Sequence, residues 1–279
     1  TCMPDIKKFM DKSLSAVQRG AKSFNETVAP KIGKAVNDAT ESAGKAIADG
    51  SDKIASVGKN AKDTVMNQLD VNHDGNVDIV DIITLGLKTP GIKVNREQFL
   101  KKELTIHYDE ETVKKAIAKT PVTAKIPAED IDKIADAVIQ YERYFVSGIS
   151  TALGAPGGAA MVATIPAVII QYYGYILRAA QKLMYLYGFP QIVSEDDETQ
   201  IDSATMNLLV VAMGVMFGVA GANNAVKAMA KALGNGVEKQ LMRRALTKGT
   251  IYPIVKSIAK WFGVRMTKEV FSGFFKKAI

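Results

Sequence analysis

The sharpest chemistry in the chain sits in one stretch, DVNHDGNVDIVD, from Asp70 to Asp81. Asp70, Asn72 and Asp74 place oxygen-bearing side chains at positions 1, 3 and 5 of a twelve-residue calcium loop of the EF-hand type. Gly75 falls at position 6, where the backbone must turn sharply and glycine does so at least cost. Asn76 would offer its backbone carbonyl, Asp78 would act directly or through water, and Asp81 would close the shell at position 12. Hard oxygen donors in this order suit Ca²⁺. Asp rather than Glu at position 12 shortens the last ligand by one methylene, which also favours Mg²⁺. Four carboxylates crowded into one loop repel each other, so a solvated acidic turn is the weaker reading. Val77 is the apolar tie of the loop and His73 an outward-facing bystander. The sequence holds no second loop of this kind, which leaves it unpaired, structural, or paired across a homodimer.

Catalytic groupings are otherwise scarce. With two His and one Cys, no Ser-His-Asp, Cys-His or histidine-rich metal cluster can be assembled, so an enzyme is disfavoured. A hydrolase using unseen groupings of Asp and Glu stays as an alternative. His107 beside Asp109, Glu110 and Glu111 reads as a capped helix start. Gly154, Gly157 and Gly158 lack the Lys-Ser/Thr of a phosphate loop and read as a hinge around Pro156. A lone Cys2 gives no internal disulfide, and no secretory signal is expected at the start.

The elements that must position the loop are helical. Ala, Gly, Lys and Met are plentiful and alternating β-branched runs few, which predicts an all-α protein: a helical bundle around an apolar helical pair. Three regions are expected: residues 1–63, an amphipathic helix of 11-residue repeats; residues 64–105, the EF-hand and its following helix; and residues 106–279, a helical domain. That domain comprises apolar helices over 146–188 and 203–226 and basic amphipathic helices over 227–279. From the first region into the start of the second, Ala21, Ile32, Ala43, Ile54 and Val65 fall in one column, a stripe that barely drifts along a helix. Asn95 with Gln98, Asp109 and Asp202 or Ser203 are expected helix caps, and Pro166 is expected to start or kink a helix.

Between Tyr144 and Leu177, and again from Ser203 to Val226, the chain carries no charged side chain. The second run is long enough to cross a bilayer, and it also fits a helix wrapped on all sides by others. Gly214 and Gly218 within it would let another helix approach closely. Residues 225–279 hold 12 Lys and Arg against 2 Asp and Glu. That basic end beside apolar runs points to anionic membrane lipid. Nucleic acid is disfavoured, since no aromatic platform or groove-reading motif accompanies the charge. Arg178 interrupts an apolar helix and needs a partner, an acidic group or a lipid headgroup. Together with Lys182, Arg243, Arg244, Lys260, Trp261 and Arg265, it forms the set expected to meet lipid or a partner.

PGGAAMVATIPAVIIQYYGYILRAAQKLMYLYGFP, with TPGIKVNREQFLKKEL upstream and IYPIVKSIAKWFGVRMTKEVF downstream, resembles the bacterial EcsC protein family. The likeness covers roughly residues 70–279 and rests on Gly157, Gly158, Pro166, Arg178, Gln181, Lys182, Tyr187 and Gly188. It implies a helical protein of the bacterial cytoplasm, peripheral to or inserted at the membrane, with an ABC transporter or another membrane protein as partner. Val168 stands where the family often has Asp. The family also tends to run on beyond the position of Ile279, and this chain opens on Thr1, so a longer parent is expected. Residues and resemblance together predict a non-enzymatic, calcium-binding, membrane-associated protein. The alternative is a soluble helical adaptor that holds a partner helix.

Overall fold

A computed structural model describes residues 66–153, 160–193, 201–234 and 244–265. The repeat region 1–63 and Arg243 lie outside the described residues. What is described is all-α, as the composition predicts.

The chain leaves the acidic loop directly into α1 (Ile79–Lys88). Asp78 accepts from the backbone N–H of Val80 at 2.7 Å and of Asp81 at 3.2 Å, and the Asp81 side chain accepts from the Asp78 N–H at 2.9 Å. This reciprocal cap satisfies N–H groups that a helix start leaves orphaned. Ile79, Ile82, Ile83 and Leu87 are buried, and the helix ends at the Thr89–Pro90–Gly91 turn.

A short strap through Ile92 and Val94 leads to α2 (Arg96–Leu104), capped by Asn95, whose Oδ1 accepts from the Gln98 N–H at 2.8 Å. Asp109 caps α3 (Glu110–Ala118) in the same manner, at 2.9 Å from the Thr112 N–H. The amphipathic pattern after Pro127 becomes α4 (Ala128–Leu153), with Ile131, Ile134, Ala135 and Val138 facing inward.

The long α5 (Ala160–Leu186) packs against α1, α2, α4 and then α6 (Ser203–Met216). It begins six residues before Pro166, so that proline lies within the helix rather than at its start. Asp202 caps α6 as expected, at 3.0 Å from the Ala204 N–H. Gly174 on α5 faces Gly86 on α1: a Cβ built on Gly86 would lie 3.4 Å from the Gly174 Cα, so the two backbones meet without side chains between them.

The uncharged run over 203–226 is not one helix, which corrects the expected apolar pair. It is divided between α6 and α7 (Ala222–Gly234). Gly218 adopts φ +65°, its N–H donates to the Val215 carbonyl at 3.0 Å, and the Val219 N–H donates to the Gly214 carbonyl at 2.8 Å. This left-handed closure terminates a helix, and glycine is the residue that adopts it without penalty. Gly221, at φ +85°, then turns the chain into α7. Among the described residues no helix is long and apolar enough to cross a membrane.

What α6 does instead is fill the centre: eight of its residues are buried, and α1, α5, α7 and α8 (Tyr252–Arg265) all touch it. Gly214 serves the close approach expected of it, since a Cβ there would stand 2.8 Å from the Ile258 side chain on α8. Gly218 does not, having nothing within 4 Å. Gly214→Ala is therefore expected to lower stability by about 1–2 kcal/mol, the overpacking cost exceeding the gain in helix propensity. Adding Ile258→Val should restore part of the denaturation midpoint; a Gly214→Ala variant more stable than the parent would refute the packing.

Two apolar cores result among the described residues. One gathers Ile92 of the strap with α1, α5, α6, α7 and α8; the other gathers Val94 of the strap, α2, α3, α4 and the end of α5. Residues from both sides of the expected 105/106 boundary share the second, with Leu100 and Leu104 against Val113, Ile131 and Tyr185. The helix α5 contributes to both.

Candidate functional site

The loop from Asp70 to Asp81 is anchored at its ends and exposed at its middle. Leu69, Val77, Ile79 and Ile82 are buried in the first core, while Asn72, His73, Asp74, Gly75 and Asn76 are exposed. Its backbone is shaped by its own polar side chains. Asp70 accepts from the Gly75 N–H at 2.8 Å and the Asp74 N–H at 3.2 Å; Asn72 Oδ1 accepts from Asp74 at 2.9 Å; Asp74 Oδ1 accepts from Asn76 at 2.8 Å. Gly75 takes φ +82°, the sharp turn its position calls for, and exposed His73 takes φ +56° beside it.

Asp70 and Asp81 are both buried, Asp81 the more deeply, with only 1% of its surface accessible. Besides the cap, it accepts from the Val71 N–H at 3.0 Å, joining the end of the loop to its second residue. Burial pushes its carboxyl above the ordinary carboxylate range, against the N–H donors of Asp78 and Val71 that lower it.

The donor set fits a hard divalent cation. Carboxylate and amide groups occupy the sequence positions that a calcium loop requires. Most of their oxygens accept one backbone N–H and keep a lone pair, whereas Asp78 Oδ1 accepts two, from Val80 and Asp81. Asp70, Asn72, Asp74, the Asn76 carbonyl, Asp78 and Asp81 are the groups that would hold it. Their side chains accept from backbone N–H groups of the loop and of the start of α1, Asp70 and Asn72 sharing that of Asp74. Among the described residues no three His, Cys, Asp or Glu side chains are already gathered into a metal-holding group.

A second polar centre lies between α4 and α5. Arg178 donates through Nη2 and Nε to Glu142 Oε2 at 2.6 and 3.0 Å, and Lys182 Nζ donates to Glu142 Oε1 at 2.7 Å. Glu142 is buried and both cations nearly so. The Arg178 guanidinium lies 4.6 Å from the centre of the Tyr175 ring, and Lys182 lies between the Tyr141 and Phe99 rings at 5.3 and 5.6 Å. Burial pushes the Lys182 ammonium below its ordinary range, and Glu142 opposes that push. The partner that Arg178 needs is thus an acidic group of this chain, and neither Arg178 nor Lys182 faces outward to lipid.

Next to them, α5 holds the strap. The wholly buried Gln181 donates to the Ile92 carbonyl at 3.0 Å and accepts from the Val94 N–H at 3.3 Å; Tyr185 donates to the Val94 carbonyl at 3.2 Å, and Arg178 Nη1 to the Gly91 carbonyl at 3.3 Å. The segment TPGIKVNRE and the helix carrying Arg178, Gln181 and Lys182 are therefore one structural unit.

Sequence reasoning passed over Arg96. Its guanidinium donates to the carbonyls of Ile117 at 2.7 Å, Lys119 at 2.8 Å, Ala116 at 3.3 Å and Phe189 at 3.0 Å, closing the end of α3 and tying it to the chain after α5.

Of the remaining expected contacts, Arg244 and Lys260 are exposed. Trp261 is half-buried, packed edge-on against Phe262 at 5.0 Å and against Phe217 at 6.2 Å. Arg265 is the last residue of α8. The loop, the Glu142 centre and the Trp261 cluster are separate places on one helical scaffold. Comparison of the chain with family models, with curated proteins and with solved structures finds no match.

Proposed function

We propose that this is a non-enzymatic, calcium-binding protein that associates with anionic membrane, consistent with the likeness of its helical part to the EcsC family and with a place at the membrane face of the bacterial cytoplasm. The observation that carries the calcium half is the construction of the loop. Its exposed middle presents ordered oxygen donors while its ends, Leu69 and Asp81, are built into the core. A cation there, Ca²⁺ first and Mg²⁺ second, would neutralise the crowded carboxylates and brace α1 against α5 and α6. The membrane half is supported by the 12 Lys and Arg against 2 Asp and Glu in residues 225–279.

Calorimetric titration with Ca²⁺ and thermal melting with Ca²⁺ or chelator test the first half. A ligand at about a hundred times its Kd stabilises the folded chain by about 2.7 kcal/mol, and the midpoint should rise accordingly. The double variant Asp70→Ala with Asp81→Ala should show no heat of binding and no rise; a parent chain indifferent to Ca²⁺ would sink the calcium half. Flotation with anionic and neutral vesicles tests the second half.

A soluble adaptor for a partner helix, of a transporter or another membrane protein, is the second reading. It is favoured by the folding of the 203–226 run into two short helices. It predicts no flotation with any vesicle.

A further inference from the structure

We propose that the corner between α6 and α7, residues 216–221, is the membrane-contact element, and that it enters the headgroup layer of an anionic bilayer shallowly without crossing it. This rests on the membrane half of the reading above and names its site.

The corner, MFGVAG, has no charged residue. Met216 is 36% exposed, and Gly218, Ala220 and Gly221 are open to solvent, so the tip can meet acyl chains without desolvating a charge. Beneath it lies an aromatic base. Phe217 packs 5.6 Å from Tyr173, 5.2 Å from Phe262 and 6.2 Å from Trp261, and Tyr172, 43% exposed, stands edge-on to Tyr173. Tyr and Trp with one apolar side and one polar tip are the residues that settle at the boundary of water and lipid.

The flank supplies the sign of the partner. Lys260 precedes Trp261, Lys256 lies one turn back over the Tyr252 ring, and both are exposed. From Ser203 to Arg265 the only acidic residue is Glu238, so a negative surface meets almost no repulsion across α6, α7 and α8. An uncharged tip, an aromatic base and a cationic flank define an interfacial element, which reaches about 5–10 Å into the boundary between headgroups and acyl chains.

Trp261 is the one tryptophan of the chain, so its fluorescence reports on this corner alone. The full chain is mixed with phosphatidylglycerol-containing or pure phosphatidylcholine vesicles, some with bromine placed shallow or deep on the acyl chain. Flotation and tryptophan quenching are then read together. Expected are flotation with the anionic vesicles, a blue shift, and quenching by shallow but not deep bromine. Ala220→Glu, at an exposed turn position, should lower the partition coefficient by about fivefold or more, the effect of about one charge at the surface, with an unchanged melting temperature. Flotation of the parent with no quenching and no loss in Ala220→Glu would overturn the corner while leaving membrane association intact. No flotation of the parent would overturn both.

Discussion

Replacing Glu142 by alanine is expected to lower the stability of the chain by about 3–5 kcal/mol, the largest effect of any single substitution proposed for it. The physical cause is the loss of the carboxylate that two nearly buried cations share. Arg178 and Lys182 both rest on this one carboxylate, at 2.6 and 2.7 Å, in a place where little water reaches them. Removing the carboxylate leaves the Lys182 ammonium with a burial cost that Glu142 no longer opposes. Chemical denaturation of Glu142→Ala against the parent measures the loss directly. A companion variant, Glu142→Leu with Arg178→Met and Lys182→Met, should recover most of it, because apolar side chains of similar volume often replace a buried ion group at no cost. A Glu142→Ala variant within 1 kcal/mol of the parent, a threshold of about a fivefold change in the folding constant, would show that water solvates the cations well enough to make the carboxylate dispensable.

The second large effect is expected at Arg96. Its truncation to alanine removes one guanidinium from four carbonyls on two segments, those of Ala116, Ile117, Lys119 and Phe189. Hydrogen bonds from a charged donor each contribute about 1.5–3 kcal/mol, but these share one side chain and water can replace some of them, so a loss of about 2–3 kcal/mol is expected. Arg96→Lys should recover no more than half, since an ammonium is a point donor and cannot span the fork. Amide exchange separates this role from a general loss of stability: the amides of α3 should lose protection first in Arg96→Ala, with those of α6 holding. Uniform loss across the chain would mean that Arg96 does not secure α3 in particular.

These two sites also show what the sequence made legible. Glu142 continues the stripe of Ala135 and Val138 at helical spacing, an acid on the buried face of α4, and Arg178 interrupts an otherwise uncharged stretch of α5. Arg178 alone was read as a charge in need of a partner; that Glu142 answers it depends on the crossing of α4 and α5, which spacing alone does not contain. Arg96 has a subtler sign, a cation at the first position of a helix, where the helix dipole disfavours it. The caps at Asn95, Asp109 and Asp202 were readable because capping is local chemistry.

The break in the 203–226 run was not. Gly214 and Gly218 are the same residue four apart, yet one is a packing notch under Ile258 and the other a helix terminator with φ +65°. Hydropathy weighs both alike. In the acidic loop the order of donors and the turn at Gly75 follow from the sequence, whereas the burial of Asp81 and its bond to the Val71 N–H depend on how α1 seats in the core.

The strap has a consequence for the order of events during synthesis. Gln181 and Tyr185 bind backbone groups that lie 87 to 91 residues earlier in the chain. At translation rates of roughly 5–20 residues per second, the strap waits about 5–20 s for the helix that receives it. Throughout that interval its carbonyls and N–H groups have only water or a wrong neighbour to bind, and Ile82, Ile83 and Leu87 of α1 have no α5 to cover them. The nascent chain is therefore exposed to misassociation between the emergence of α1 and that of α5, and a pause placed there by slow codons would lengthen the exposure.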